Sequence, residues 1–331
     1  MTITIDVKDR KILSELDMDA RQPLSALAKK VGLSREVVQY RIRQLEKKKI
    51  ITGYVTVLDT SRLGLIYCRI LFKFRKMPAS KEKEFLSYCM SSDAISWIIL
   101  GEGKWDIVLV ALAKDLQSIG QLTDEINSNF GIFLQNPYVT IAYEVHEFKH
   151  NYLYPKFDDR ELVLGRSSQV AKLDLQDMKL LSLLSSKARY PLISLSKKVS
   201  MDPRTVNQRI KKLLGEKVIL GFRALINASL LGYDFYKIFL TLHGYDTKSK
   251  LISYLRFHPS VIYLTVPMGM HSLEFEAMVK NANELHSILH ELKREFGEII
   301  IDYDTYFTYE TRLVGYLPKS LMKSNEEVAL D

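Results

Sequence analysis

Only two cysteines occur in the 331 residues, Cys68 and Cys89, and both lie in otherwise apolar stretches. A disulfide framework and a cysteine-based metal site are therefore not expected, and the two thiols read as small reduced core residues. Long apolar runs are also missing. The longest, over residues 95–100 and 107–113, end far short of the ~18 residues a membrane span requires, so no membrane partner is expected. The opening residues lack the basic, apolar and small-residue regions of a secretion signal, which makes the cytoplasm the expected location. No nucleophile–base pair, phosphate-cradling glycine loop or zinc ligand set is apparent, so the expectation is a non-enzyme without cofactor or metal. His286 and His290 stand four apart on a predicted helix, but with no third ligand in view they read as surface histidines.

What is present is a repeat. Shifting the chain against itself by 168 positions lays Asp6 on Asp174, Ala20-Arg21 on Ala188-Arg189, Arg41-Ile42 on Arg209-Ile210 and Leu63-Gly64 on Leu231-Gly232, without a gap. One two-part unit is thus written twice, and a fixed-period repeat governs architecture before any local pattern. The net charge of +8 is unevenly spread. Residues 1–64 hold 13 basic against 8 acidic side chains and residues 169–232 hold 12 against 4, leaving the remainder net acidic. Basic heads on neutral or acidic bodies fit a nucleic-acid-binding part joined to a sensing or assembling part, although solvated helices would give the same charge count.

In the first head Asp6 is a good N-cap for a helix burying Ile12, Leu13 and Leu16. Pro23 starts a second helix with Leu24, Leu27, Ala28 and Val31 on one face, and Gly32 ends it. Ser34 caps a third helix, over about residues 35–48, that turns Val38, Ile42 and Leu45 inward. Helix, four-residue turn and helix is the DNA-reading arrangement whose second helix enters the major groove. Ser34, Arg35, Glu36, Gln39, Tyr40 and Arg43 are its candidate DNA contacts, since Arg suits guanine and Gln suits adenine. In the second head Asp202-Pro203 supplies a different start signal for the equivalent helix, whose candidate contacts are Asp202, Arg204, Thr205, Asn207, Gln208 and Lys211. The exposed faces differ between copies, so two unlike half-sites are expected. Ser200 replaces Gly32 at the turn, where a left-handed conformation costs a residue with a side chain about 1–2 kcal/mol. Each head closes with an extended segment, residues 50–58 and 218–226.

Each body then reads strand, helix, strand, strand, helix, strand. In the first, these fall at 67–74, 81–90, 95–100, 106–113, 116–130 and 133–148. In the second, they fall at 237–242, 250–257, 261–266, 273–279, 282–296 and 299–309. This is the pattern of a ferredoxin-like βαββαβ domain with helices on one sheet face, leaving the other face to be covered. The expected class is α+β, with two winged-type helix-turn-helix domains (1–64 and 173–232) alternating with two ferredoxin-like domains (65–157 and 233–319). A linker over 158–172 and a tail over 320–331 are expected to be flexible.

The run Ile5-Asp6, Asp9, Ile12-Leu13, Leu27-Ala28, Val31-Gly32-Leu33-Ser34, Arg41-Ile42, Leu45-Glu46 and Ile51-Thr52-Gly53-Tyr54 resembles the DNA-binding domain of the Lrp/AsnC (feast/famine) transcriptional regulators. Lys49 and Lys217 depart from it, standing where that family commonly has glycine. The resemblance implies double-stranded DNA as partner, a small-molecule effector such as an amino acid, and a body sheet covered by a second copy. Here that second copy would lie on the same chain as an internal pseudo-dimer, with further homo-oligomers expected. It also points to Gly101, Gly103 and Asp106, with Gly269, His271 and Glu274 in the second copy, as effector-binding residues; plain hairpin turns are the alternative. Siroheme decarboxylases share the head-plus-body fold and supply a second reading, as does a sequence-tolerant architectural DNA binder. The enzymes imply a His-Asn-Tyr stretch on the second body strand. Here that strand reads Ile95-Ser-Trp-Ile98 and Val261-Ile-Tyr-Leu264, and His150-Asn151-Tyr152 follows the last strand instead.

Overall fold

The computed structural model describes residues 2–156, 158, 160–244, 248–313, 317–318 and 321. The first head is α1 (Val7–Met18), α2 (Leu24–Val31), α3 (Arg35–Lys47) and β1 (Ile51–Leu58). Its signals act locally: the Asp6 carboxylate accepts the Asp9 N–H at 2.8 Å and Ser34 Oγ accepts the Val37 N–H at 3.3 Å. Gly32 turns the chain out of α2 at φ +65°. The first body follows with β2 (Ile66–Phe72), α4 (Ala79–Ser91), β3 (Ile95–Gly103), β4 (Ile107–Ala113), α5 (Leu116–Phe130) and β5 (Tyr138–Phe148). β5 starts later than the sequence suggests. Gly131–Phe133 form a 3₁₀ turn, and Pro137, without an N–H, precedes the strand.

Residues 158–172, expected to be a flexible linker, contain a strand, β6 (Glu161–Leu164), paired antiparallel with β5. The buried His146 ring fastens it, with one nitrogen 2.6 Å from Glu144 and the other 3.0 Å from Glu161. The second head is α6 (Leu175–Ser186), α7 (Leu192–Val199), α8 (Pro203–Gly215) and β7 (Ile219–Ile226). The second body is β8 (Asp234–Leu242), α9 (Lys248–Phe257), β9 (Val261–Met268), β10 (Leu273–Val279), α10 (Ala282–Phe296) and β11 (Ile300–Leu313). Apart from Leu321, the expected tail lies outside the described residues. Among those residues no helix is long and apolar enough to cross a membrane.

The heads are joined more closely than two consecutive domains. β1 and β7 pair antiparallel as a two-stranded ribbon, and each head packs on the other's strand. Ala20 donates its N–H to Phe222 O at 2.7 Å, and Ala188 donates to Tyr54 O at 3.3 Å. The core around Ile12, Leu13 and Leu16 is completed by Ala224, Ala228 and Leu231. The core around Leu180, Leu181 and Leu184 takes in Leu58, Leu63 and Leu65.

Each body forms an antiparallel four-stranded sheet, ordered β5-β2-β4-β3 and β11-β8-β10-β9. The sheets meet at both edges, β3 with β11 and β5 with β9, so the pairings close into a ring of eight strands. Period-two alternation sorts the side chains. Cys68, Ile70 and Phe72 of β2, with Ile107, Leu109 and Ala111 of β4, pack with Phe85, Ile119 and Ile126 of the helices. Their neighbours Tyr67, Arg69, Val108 and Val110 line the space between the two sheets.

Candidate functional site

The outer faces of α3 and α8 present the residues that sequence singled out. Ser34, Arg35, Glu36, Gln39, Tyr40 and Arg43 are exposed, Tyr40 at 62%, while Val38, Ile42 and Leu45 are buried beneath them. On α8, Asp202, Arg204, Thr205, Gln208 and Lys211 are exposed and Asn207 is half-buried, above Val206, Ile210 and Leu213. The Asp202 carboxylate accepts the Arg204 N–H at 2.7 Å, so it serves as the cap. Arg41 is occupied differently: it bridges Asp6 and Asp9 at 2.7 and 2.8 Å, and Arg209 bridges Asp174 and Asp177 at 2.7 Å each. These clamps fix each outer helix to the start of its head. The bonds from Asp9 and Asp6 raise the pKa of Arg41, and the Asp9 N–H, followed by Arg41, lowers that of Asp6.

The loop residues are engaged within the fold. Gly101 and Gly103 belong to β3 and pair with Thr308 and Tyr306 of β11. A Cβ on Gly101 would collide with the Phe307 carbonyl and the Tyr306 ring, so close strand approach accounts for that glycine. The Gly101 N–H donates to Asp106 O at 3.1 Å. The Asp106 carboxylate accepts from Lys73 Nζ at 2.7 Å and the Phe74 N–H at 2.6 Å. Gly269 and His271 lie in the β9–β10 turn, the His271 ring buried against Phe239 and Tyr138 with Nε2 3.6 Å from Asp304. Glu274, set against Asp106 by the 168-residue shift, instead lies inside β10 at the register Val108 takes in β4; it is 1% exposed and holds Arg69 and Lys237 together. Burial alone would raise its pKa, but these two cations bring it down to about 2.

Between the sheets lies a chamber of about 620 Å³, bounded on the head side by residues of the β1–β7 ribbon. Two buried ion networks reach its wall. One is Arg69–Glu274–Lys237–Glu276. In the other, Arg223 of β7 bonds Asp17 of α1 at 2.6 Å, Glu147 of β5 at 3.1 Å and the Phe148 carbonyl at 2.9 Å. Asp17 also accepts the His150 N–H at 2.9 Å, and the His150 ring stacks on Tyr152. Burial lowers the pKa of His150 to about 4, against the pull of Asp17. Sequence reading singled out Glu274 and noted the His150-Asn151-Tyr152 stretch, but passed over Arg69, Lys237, Glu276, Arg223, Asp17 and Glu147. The available signal was a lone cation in an apolar strand pattern, at Arg69 and again at Arg223.

Two capped helix-turn-helix heads with exposed, polar second helices define a DNA-binding regulator class of protein. Residues 5–46 match the AsnC-type helix-turn-helix domain, and residues 173–219 match a winged helix-turn-helix DNA-binding domain. The proline dehydrogenase transcriptional activator of Rhodobacter capsulatus is 52% identical over 67 residues, 20% of this chain and 44% of that protein's length. An HTH-type transcriptional regulator of Methanocaldococcus jannaschii is 31% identical over 121 residues, 37% of this chain and 80% of its own length. The chain belongs to the Lrp/AsnC family of HTH-type transcriptional regulators. Whole-chain likeness comes from the siroheme decarboxylase NirDL, with a TM-score of 0.63 covering 98% of both chains at 14% identity, which shows a shared fold.

Proposed function

We propose that this chain is a sequence-specific regulator that sets two unlike recognition helices, α3 and α8, on double-stranded DNA as a covalent pseudo-dimer. The observation that carries the reading is the pair of exposed polar helix faces on heads locked together by the β1–β7 ribbon. A symmetric dimer reads a palindrome; heads bearing Gln39, Tyr40 and Arg43 on one side and Asn207, Gln208 and Lys211 on the other call for different half-sites. Modulation by a small molecule such as an amino acid belongs to the same proposal, with the loops at Gly101–Asp106 and Gly269–Glu274 as candidates. A ligand there would compete with Lys73 and the Phe74 N–H for Asp106. Association into larger homo-oligomers in the cytoplasm completes it.

Selection from a random DNA pool at near-physiological salt, then titration of the best site against scrambled DNA, tests the reading. The expected result is an asymmetric site with half-sites a whole number of helical turns apart, bound about 10³-fold or more tightly than scrambled DNA. Failure to enrich a site, with binding that disappears steeply as salt rises, would instead indicate a sequence-tolerant architectural binder.

The fold shared with NirDL favours one alternative, and one structure of NirDL is described as a co-complex with an iron-uroporphyrin III analogue. A tetrapyrrole polycarboxylate needs cations to receive it. Arg69, Lys237 and Arg223 at the chamber wall are each already bonded to buried carboxylates, which favours the regulator. Decarboxylation of added siroheme, followed by absorbance and product analysis, would reverse that preference.

A further inference from the structure

The inner faces of the two body sheets look at one another across the chamber, yet do not interdigitate to fill it. Protein interiors are close-packed, and a space of about 620 Å³ is in the range of pockets that receive small molecules. Much of the wall is apolar, with Val108, Val110, Phe235 and Ile262 among its residues. Polar atoms interrupt it without hydrogen-bond partners among the described residues: His150 Nε2 and Thr308 Oγ1, in residues that are 9% and 7% exposed. Buried polar groups are ordinarily paired, so two unpaired ones lining one space point to a hydrogen-bonding occupant.

We propose that the chamber is a binding site for one uncharged, largely aromatic or alicyclic small molecule carrying one or two hydrogen-bonding groups. Charge at the wall argues for an uncharged ligand. The three cations Arg69, Lys237 and Arg223 and the four carboxylates Glu274, Glu276, Glu147 and Asp17 already bond one another, so a charged ligand of either sign would have to displace an existing bridge. A single ligand follows from the broken repeat. Arg223 of the second head stands where the first has Val55, and Glu276 of β10 takes the register that Val110 takes in β4, so the two walls are not equivalent and offer no second copy of the site. The site also reaches the heads, because Arg223 lines the chamber while holding Asp17 of α1. Control of DNA affinity by the occupant rests on the regulator reading; occupancy itself does not.

The test is fluorescence titration of the full chain with N-phenyl-1-naphthylamine, an uncharged aromatic probe, beside its anionic relative 8-anilinonaphthalene-1-sulfonate. Saturable binding of one uncharged probe per chain is expected, with the sulfonate about tenfold weaker or worse. Val110→Phe and Met278→Trp, which narrow the chamber from opposite sheets, should each weaken the probe about tenfold or more while circular dichroism and cooperative unfolding stay native. Absence of saturation, equal binding of the sulfonate, or undiminished binding in a folded narrowed variant would overturn the proposal. DNA selection on the same preparation is read separately, so loss of the chamber site and loss of operator recognition are distinguishable.

Discussion

The two copies of the module agree where a segment must fold by its own signals and differ where they face each other. Asp6 and Asp174 cap their first helices alike, and Arg41 and Arg209 form the same double clamp. Between the sheets the copies differ: Val55 corresponds to Arg223, Asp17 to Ser185 and, by strand register, Val110 to Glu276. A cap serves only its own helix end and has to be present in both copies. A buried charge needs a partner somewhere in the shared interior, so a complete ion network can be built on one side alone.

The strongest way to break this asymmetry is Arg223→Val, which gives the second copy the residue of the first. Asp17 and Glu147 would then be buried without a cation, and urea unfolding should register a loss of about 3–5 kcal/mol. Adding Asp17→Ser and Glu147→Gln should recover most of it. If Arg223→Val alone costs nothing, the network does not hold head to body.

Acid tests the same wall. An unfolded histidine gains its proton near pH 6.5, whereas buried His150 stays neutral down to about 4. The unfolded state therefore binds more protons between these values, and this contribution is complete above pH 6.5 and is lost as pH falls toward 4. At most about 3 kcal/mol is involved, and His150→Asn should flatten that part of the stability–pH curve. An identical slope in the variant would place the effect elsewhere.

Arg43→Ala and Lys211→Ala sharpen the comparison at the heads. Each should cost about 1–3 kcal/mol of DNA affinity where it contacts a base, relaxing preference in one half-site only, with thermal unfolding unchanged. The smallest effect concerns Ser200, which occupies the left-handed conformation at φ +52° that Gly32 adopts in the first head. Ser200→Gly should stabilise by up to about 1 kcal/mol and Gly32→Ser should destabilise similarly, a reciprocal shift readable in Tm.

The helix-turn-helix units were legible because caps, turns and helical spacing are written within a few residues. Even the odd positions were marked: Lys49 and Lys217, which depart from the pattern of the family resemblance, both take positive φ, at 60° and 55°. β10 and α10 fall at the boundaries their periodicity suggests. The β1–β7 ribbon, the closed ring of strands and the Arg223 network were not legible. Each joins residues far apart in sequence, as in the 206 positions separating Arg223 from Asp17, and no local pattern encodes a pairing at that distance. β6 escaped notice for a related reason: four residues amid polar neighbours become a strand only because β5 offers an edge.

Because each head borrows the other's strand to finish its core, the arrangement has a bearing on inheritance. Two separate genes for such diverged halves would yield a mixture of like and unlike pairs, and a pair of second halves would bury Arg223 twice with Ser185 in place of Asp17. Fusion delivers every molecule already matched. It shields each half from meeting its own kind, and leaves substitutions that would ruin a symmetric pair free to persist.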